Sequence, residues 1–141
     1  MKVEKISNET NSMVINLLKN VKGLSIESKI VENCHVLLNE KNDIVGTISF
    51  EKYNNYAIIR YFVFKRNIDY NDLKILYNDL ENELRNLNII QAIAIINSEE
   101  VKDVFELLDF KKIDKEKVFF DETIFTKTSY KDNDIYIKKI N

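Results

Sequence analysis

Chemistry at neutral pH needs a side chain that can trade a proton or attack a carbon. The 141 residues offer few of these. His35 is the only histidine and Cys34 the only cysteine. An imidazole titrates near neutrality, so His35 is the readiest general base by type. Its place at the start of a strand-like run reads as a surface or edge position rather than a catalytic one. A single thiol forms no internal disulfide, which fits a reducing cytoplasm. One thiol and one imidazole cannot build a Cys/His cluster, so no metal is expected.

The elements that would have to position any site are legible as hydrophobic periods. Tyr56 to Phe64 is a dense apolar run, and Lys65-Arg66-Asn67-Ile68-Asp69 is a polar turn. From Tyr70 to Leu87, Leu73, Leu76, Tyr77, Leu80, Leu84 and Leu87 recur on one helical face, with Asp79, Glu81, Asn82, Glu83 and Arg85 facing water. Asp69 or Asn71 is the natural N-cap. A second apolar run spans Ile89 to Ile96. A shorter helix follows from about Ser98 to Leu108, with Val101, Val104, Phe105 and Leu108 as its buried stripe. This βαβα order makes the two strands parallel. The mouth above such strand ends is where α/β proteins usually hold ligands.

Upstream, Val3 to Ile6 predicts a first strand. Met13, Val14, Leu17, Leu18 and Val21 predict a helix that stops at Gly23. Leu24 to Asn33 is ambiguous between linker, short helix and irregular strand. Cys34–Glu40, Ile44–Tyr53 and the Tyr56 strand read as an antiparallel meander, with Gly46 marking a bulge or close backbone approach. Val118–Thr126 and Ile135–Ile140 predict a closing hairpin. The whole chain, 1–141, reads as one domain.

Composition limits partners. The net charge is −2, with 31% charged residues of both signs. That gives no electrostatic reason to expect nucleic acid or an anionic membrane. No run reaches the ~18 to 20 apolar residues that span a bilayer, and the first residues lack the apolar core of a signal peptide. A cytoplasmic location is therefore expected. The excess of Lys, Ile and Asn, with no Pro or Trp and only Gly23 and Gly46, fits the A/T-rich codons of a low-GC bacterium.

Val36-Leu37-Leu38-Asn39-Glu40-Lys41-Asn42-Asp43-Ile44-Val45-Gly46-Thr47-Ile48 resembles the second and third strands of the GCN5-related N-acetyltransferase (GNAT) family. Asn97 to Phe110 resembles that family's fifth-strand exit and fourth helix, which commonly ends Leu-Gly-Phe; here it is Leu108-Asp109-Phe110. The order of elements agrees along nearly the whole chain. The resemblance implies an α+β, three-layer fold with a mixed, mostly antiparallel central sheet flanked by helices. It also implies transfer of an acyl group from acetyl-coenzyme A to the amine of a small molecule or protein, by a monomer or homodimer.

Four parts of that chemistry have counterparts to check. A bulge in the fourth strand, matched at about Val63, would offer a backbone N–H to the thioester carbonyl. The pyrophosphate loop, Gln/Arg-x-x-Gly-x-Gly/Ala, corresponds to Ile68-Asp69-Tyr70-Asn71-Asp72-Leu73. It has no glycine and carries two carboxylates. A like charge within about 4 to 6 Å of a phosphate would cost on the order of several kcal/mol in a partly desolvated mouth. Asp69 and Asp72 make sense instead as helix caps, and Lys65 and Arg66 read either as a partial grip on phosphates from the turn or as a solvated basic pair. The tyrosine that protonates the leaving thiolate aligns with Phe105, which has no proton to give. Ser98 falls where the family often has asparagine, with Asn97 one residue before. Finally, Arg60 stands near the register of the family's general base, and a guanidinium accepts no proton. Glu51, Tyr53, Tyr56 and Tyr61 are the remaining candidates.

Two expectations follow. One is a divergent N-acyltransferase with a degraded pyrophosphate loop and no leaving-thiolate tyrosine. The alternative is a non-catalytic GNAT-fold module that binds a protein or small ligand.

Overall fold

A computed structural model describes residues 1–114, 119–120, 123–124 and 132–141. In chain order the elements are β1 (Lys2–Lys5), α1 (Asn8–Lys19), α2 (Ser28–Val31), β2 (His35–Leu38) and β3 (Ile44–Tyr53). They continue with β4 (Tyr56–Phe64), α3 (Tyr70–Asn86), β5 (Gln91–Ile96), α4 (Glu99–Leu107) and β6 (Lys111–Ile113). Short β7 (Phe119–Phe120) pairs with β8 (Thr123–Ile124), and β9 (Asp134–Lys139) closes the chain. Seven strands form a sheet in the order β1-β2-β3-β4-β5-β9-β6. It is mostly antiparallel, and the β4–β5 pair is parallel, from Tyr56 opposite Gln91 to Ile58 opposite Ile93. The α+β architecture and the parallel βαβ step are those the sequence predicts.

The residues gather into two compact units, Met1–Glu51 with Arg60–Glu83, and Lys52–Ile59 with Leu84–Asn141. In the first unit α1 begins with a reciprocal capping box. The Ser7 hydroxyl accepts from the Thr10 N–H, and Thr10 Oγ1 accepts from the Ser7 N–H at 2.9 Å. This satisfies donors that the first turn leaves open. The helix stops at Lys19 rather than running to Gly23, whose φ of +79° lies in the turn beyond. Val14 and Leu18 are buried with Ile30, Val31, Cys34, Val36, Leu38, Ile44 and Tyr61 in one apolar cluster. The ambiguous segment before β2 contains the single turn of α2. The β2–β3 register slips between Leu37 and Leu38, opposite Gly46 and Ile44, so Gly46 does mark a bulge. A Cβ there would make only ordinary contacts, 3.5 Å from Leu76.

The second unit corrects the closing hairpin. β9 pairs antiparallel with both β5 and the unforeseen three-residue β6. Both edges of β9 are thereby hydrogen-bonded, and Ile135 is buried with Ile58 and Ile93. β7 and β8 fall within the expected Val118–Thr126 run, whose other residues lie outside the described ones. Ser98 caps α4 by accepting from the Val101 N–H. At the other end Asp109 takes a φ of +72°. The Asp109 and Phe110 N–H groups return to the carbonyls of Glu106 and Phe105. The Phe105 and Phe110 rings meet edge-on at 4.9 Å, so the turn is a Schellman motif with its apolar clasp. Three other turns use asparagine in the left-handed region, Asn42, Asn54 and Asn88. Their short polar side chains tolerate it best after glycine.

Candidate functional site

In the first unit, β4 is kinked at Tyr61, whose φ is +51° in mid-strand. A β-carbon crowds the backbone there, at a cost of about 1 to 2 kcal/mol. Several contacts hold it in place. The Thr47 hydroxyl, fully buried, donates to the Tyr61 carbonyl at 2.8 Å. The ring is buried in the α1–α2–β2 cluster. Its hydroxyl donates to the Ser25 carbonyl and accepts from the Glu27 N–H, each at 2.8 Å. The sequence matches the bulge at about Val63; the left-handed residue stands two positions earlier. Val63 itself is half-buried against the same cluster. The Lys65 N–H donates to the Val45 carbonyl at 3.0 Å, so backbone pairing to β3 is present past the kink. A nearly all-apolar strand sequence carries no signal for such a kink, and Tyr61, Thr47 and Glu27 were invisible as a group.

The turn into α3 explains both aspartates. The Asp69 carboxylate accepts from the Asn71 N–H at 3.2 Å, and its carbonyl accepts from the Asp72 and Leu73 N–H groups. Asp72 lies in the first turn, where a carboxylate suits the helix dipole. The capping expectation for Asp69 holds, and the helix supplies its own anion. Lys65 and Arg66 are exposed on the turn before it.

Arg60 and Glu51, both half-buried, form a close ion pair. Glu27 lies 3.7 Å from the same guanidinium, which also sits over the Tyr61 ring at 5.6 Å. The Glu51 carboxylate is thus engaged by arginine. Tyr61 spends its hydroxyl on Ser25 and Glu27. Tyr53 and Tyr56, in the second unit, stack at 5.5 Å beside its isoleucine cluster.

His35 is corrected outright. It is 3% exposed, not a surface residue. Nδ1 stands 2.7 Å from Asp79 Oδ2, and Nε2 stands 2.7 Å from Glu83 Oε1. Lys5 pairs with the same Glu83 oxygen. Asp79 and Glu83, expected to face water, instead tie α3 to β1 and β2. The face also differs from the pattern elsewhere: Glu81 is buried, receiving the Tyr77 hydroxyl at 2.8 Å, while Leu87 is 38% exposed. Beside His35, burial pushes the Cys34 thiol up to about 11, with Ser49 and Lys5 pulling the other way.

In the second unit, Asn97 is exposed and Ser98 is the α4 cap. Phe105 is buried and clasps Phe110. Two shallow hollows lie elsewhere. One of 410 Å³ is lined by Met1 and the β2–β3 turn, and one of 380 Å³ lies around Glu106, Phe110 and Tyr136. Neither contains an expected site residue. Among the described residues no group of three or more His, Cys, Asp or Glu is arranged for a metal ion, and no helix is long and apolar enough to cross a membrane.

No protein-family model and no curated protein sequence matches the chain. Solved structures do. An acetyltransferase of the GNAT family from Staphylococcus aureus Mu50 aligns at TM-score 0.69 and 14% identity, with 99% of each chain covered. Rv2747 from Mycobacterium tuberculosis, crystallised in complex with CoA, aligns at 0.78 and 14% identity over 100% of both chains. This chain has the GNAT fold. N-acetylglutamate synthase from Neisseria gonorrhoeae, solved with coenzyme A and N-acetyl-glutamate, aligns at 0.73 and 12% identity, covering 99% of this chain and 35% of that one. At such identities the likeness carries the GNAT fold alone. Within it, Asp109 stands where the resemblance places the glycine of Leu-Gly-Phe. The left-handed φ there is what that glycine would supply.

Proposed function

We propose that this chain is a divergent acyl-coenzyme A-binding GNAT protein that transfers an acyl group to an amine. The kink at Tyr61 carries this reading. A non-glycine residue in the left-handed region of a core strand is costly, and such strain persists at sites that use it. The full-length alignment with Rv2747, crystallised in complex with CoA, supports the same ligand. A bound acyl-coenzyme A would supply an activated thioester. The backbone near Val63 would face its carbonyl, while Lys65 and Arg66 would attract its phosphates. These residues fit by type, since backbone donors and flexible cations need no special neighbour. The α3 N-terminus fits less well, because Asp69 already occupies its Asn71 amide. The phosphate grip is therefore weaker than a glycine loop would give. Among the described residues, Phe105 is clasped into a helix end and Glu51 is bound to Arg60, so neither of these matched positions supplies the acid or the base.

The Asp69 cap specifically favours a second reading, a non-catalytic module of the same fold. A thermal-shift titration with acetyl-coenzyme A decides between them. At 100 times its dissociation constant the ligand adds about 2.7 kcal/mol to stability, which is a shift of several degrees. No shift at millimolar ligand removes the acyl-coenzyme A reading and leaves the module.

A further inference from the structure

The segment Ser25–Glu32 has little of its own to hold it. Its helix, α2, is four residues long, and the Glu27 N-cap has no side-chain hydrogen bond into it. One turn of helix is not stable by itself. What fastens it comes from the sheet. The Tyr61 hydroxyl takes the Glu27 N–H and gives its own proton to the Ser25 carbonyl. The Ser49 hydroxyl on β3 donates to the Ile30 carbonyl, and the Asn33 amide nitrogen donates to the Phe50 carbonyl. The Glu27 carboxylate then returns toward Arg60, whose guanidinium lies over the Tyr61 ring. Tyr61, Arg60 and Glu27 thus form a closed circuit of three contacts. The residue that closes it is also the kinked one.

We infer that Tyr61 is a positioning residue that joins the kinked backbone of β4 to the Ser25–Glu27 segment, so that the two hold one geometry together. The role of that segment in acyl transfer rests on the proposed function; the strap itself does not. Thr47 fixes the Tyr61 carbonyl and the hydroxyl fixes the segment, so the side chain converts the position of the kink into the position of Glu27. Glu27 is thereby held with its carboxylate 3.7 Å from the Arg60 guanidinium.

Two measurements without ligand test the strap. First, in the unaltered protein with 13C-labelled tyrosine, a hydroxyl that both donates and accepts exchanges slowly. The Tyr61 Cζ signal is then expected to split in mixed H2O/D2O, and a single averaged signal overturns the inference. Second, Tyr61→Phe keeps the ring and removes the hydroxyl. Amide exchange at Glu27 is expected to rise about tenfold, with Val14 and Leu18 in the same cluster unchanged. Equal exchange at Glu27, or a uniform rise across the cluster, overturns it. If Tyr61→Phe does not fold, the unaltered protein's isotope splitting still decides. Acetyl-coenzyme A added to both proteins separates the two proposals. Failure to bind the unaltered protein sinks the acyl-coenzyme A reading, while exchange at Glu27 still judges the strap.

Discussion

The Nδ1 of His35 on β2 stands 2.7 Å from the Asp79 carboxylate on α3, across 44 positions of sequence. With Glu83 on the other ring nitrogen, the imidazole is bridged between two turns of one helix. His35→Leu leaves two carboxylates facing an apolar group. Their side chains are 42% and 28% exposed, so water can recover part of their solvation. The expected loss is about 1 to 3 kcal/mol, read as a lower urea midpoint with unchanged slope. Asp79→Asn is expected to cost less. A neutral effect of His35→Leu would show the bridge to be incidental.

Thr47 supports the kink from the neighbouring strand. Thr47→Val keeps the shape and removes the hydroxyl that donates to the Tyr61 carbonyl. The expected cost is about 1 to 3 kcal/mol in unfolding free energy, largely restored by Thr47→Ser. Equal stability of the valine variant would mean the carbonyl finds another donor.

Cys34 gives a pH-dependent prediction. Burial raises its folded thiol to about 11 from an ordinary 9.0. The unfolded chain therefore releases this proton first. The associated stability is full below pH 9 and is lost as pH rises through about 11, by on the order of 2 kcal/mol. Urea midpoints from pH 8 to 11 should fall more steeply for the unaltered protein than for Cys34→Ala. Parallel pH profiles would contradict it.

The α3 entrance tests the phosphate argument. Asp69→Gly removes the cap and is expected to cost about 1 kcal/mol. Combined with Asn71→Gly it opens the amides to an anion. Acetyl-coenzyme A should then bind more tightly than to the unaltered chain, as measured by calorimetry. If the unaltered chain binds and the double variant does not, Asp69 is part of the ligand site rather than a competitor.

Local patterns were legible and long-range partnerships were not. The Tyr56 strand, the α3 period and the β2–β3 meander each follow from spacing within about ten residues, and each is present. The Asp69 cap was equally local in origin. His35 looked peripheral because its burial depends on residues 44 and 48 positions away. β9 looked like half of a hairpin because β6, its second partner, is too short to show a period. The kink at Tyr61 depends on Thr47, Ser25 and Glu27, and no window of sequence contains all of them. Phe105 is the instructive middle case. Aligned with a missing acid, it turns out to clasp Phe110 at a helix end.

With only two glycines in the chain, Asn42, Asn54 and Asn88 make left-handed turns that glycine could make with less strain. Each asparagine keeps a β-carbon, which narrows the range of conformations open to the denatured chain. The loss in the native turn is thus set against a smaller entropy gain on unfolding. Replacing all three by glycine would relax the folded turns and loosen the denatured ensemble at once. With so few glycines, part of the protein's stability thus lies in the state in which it has no structure.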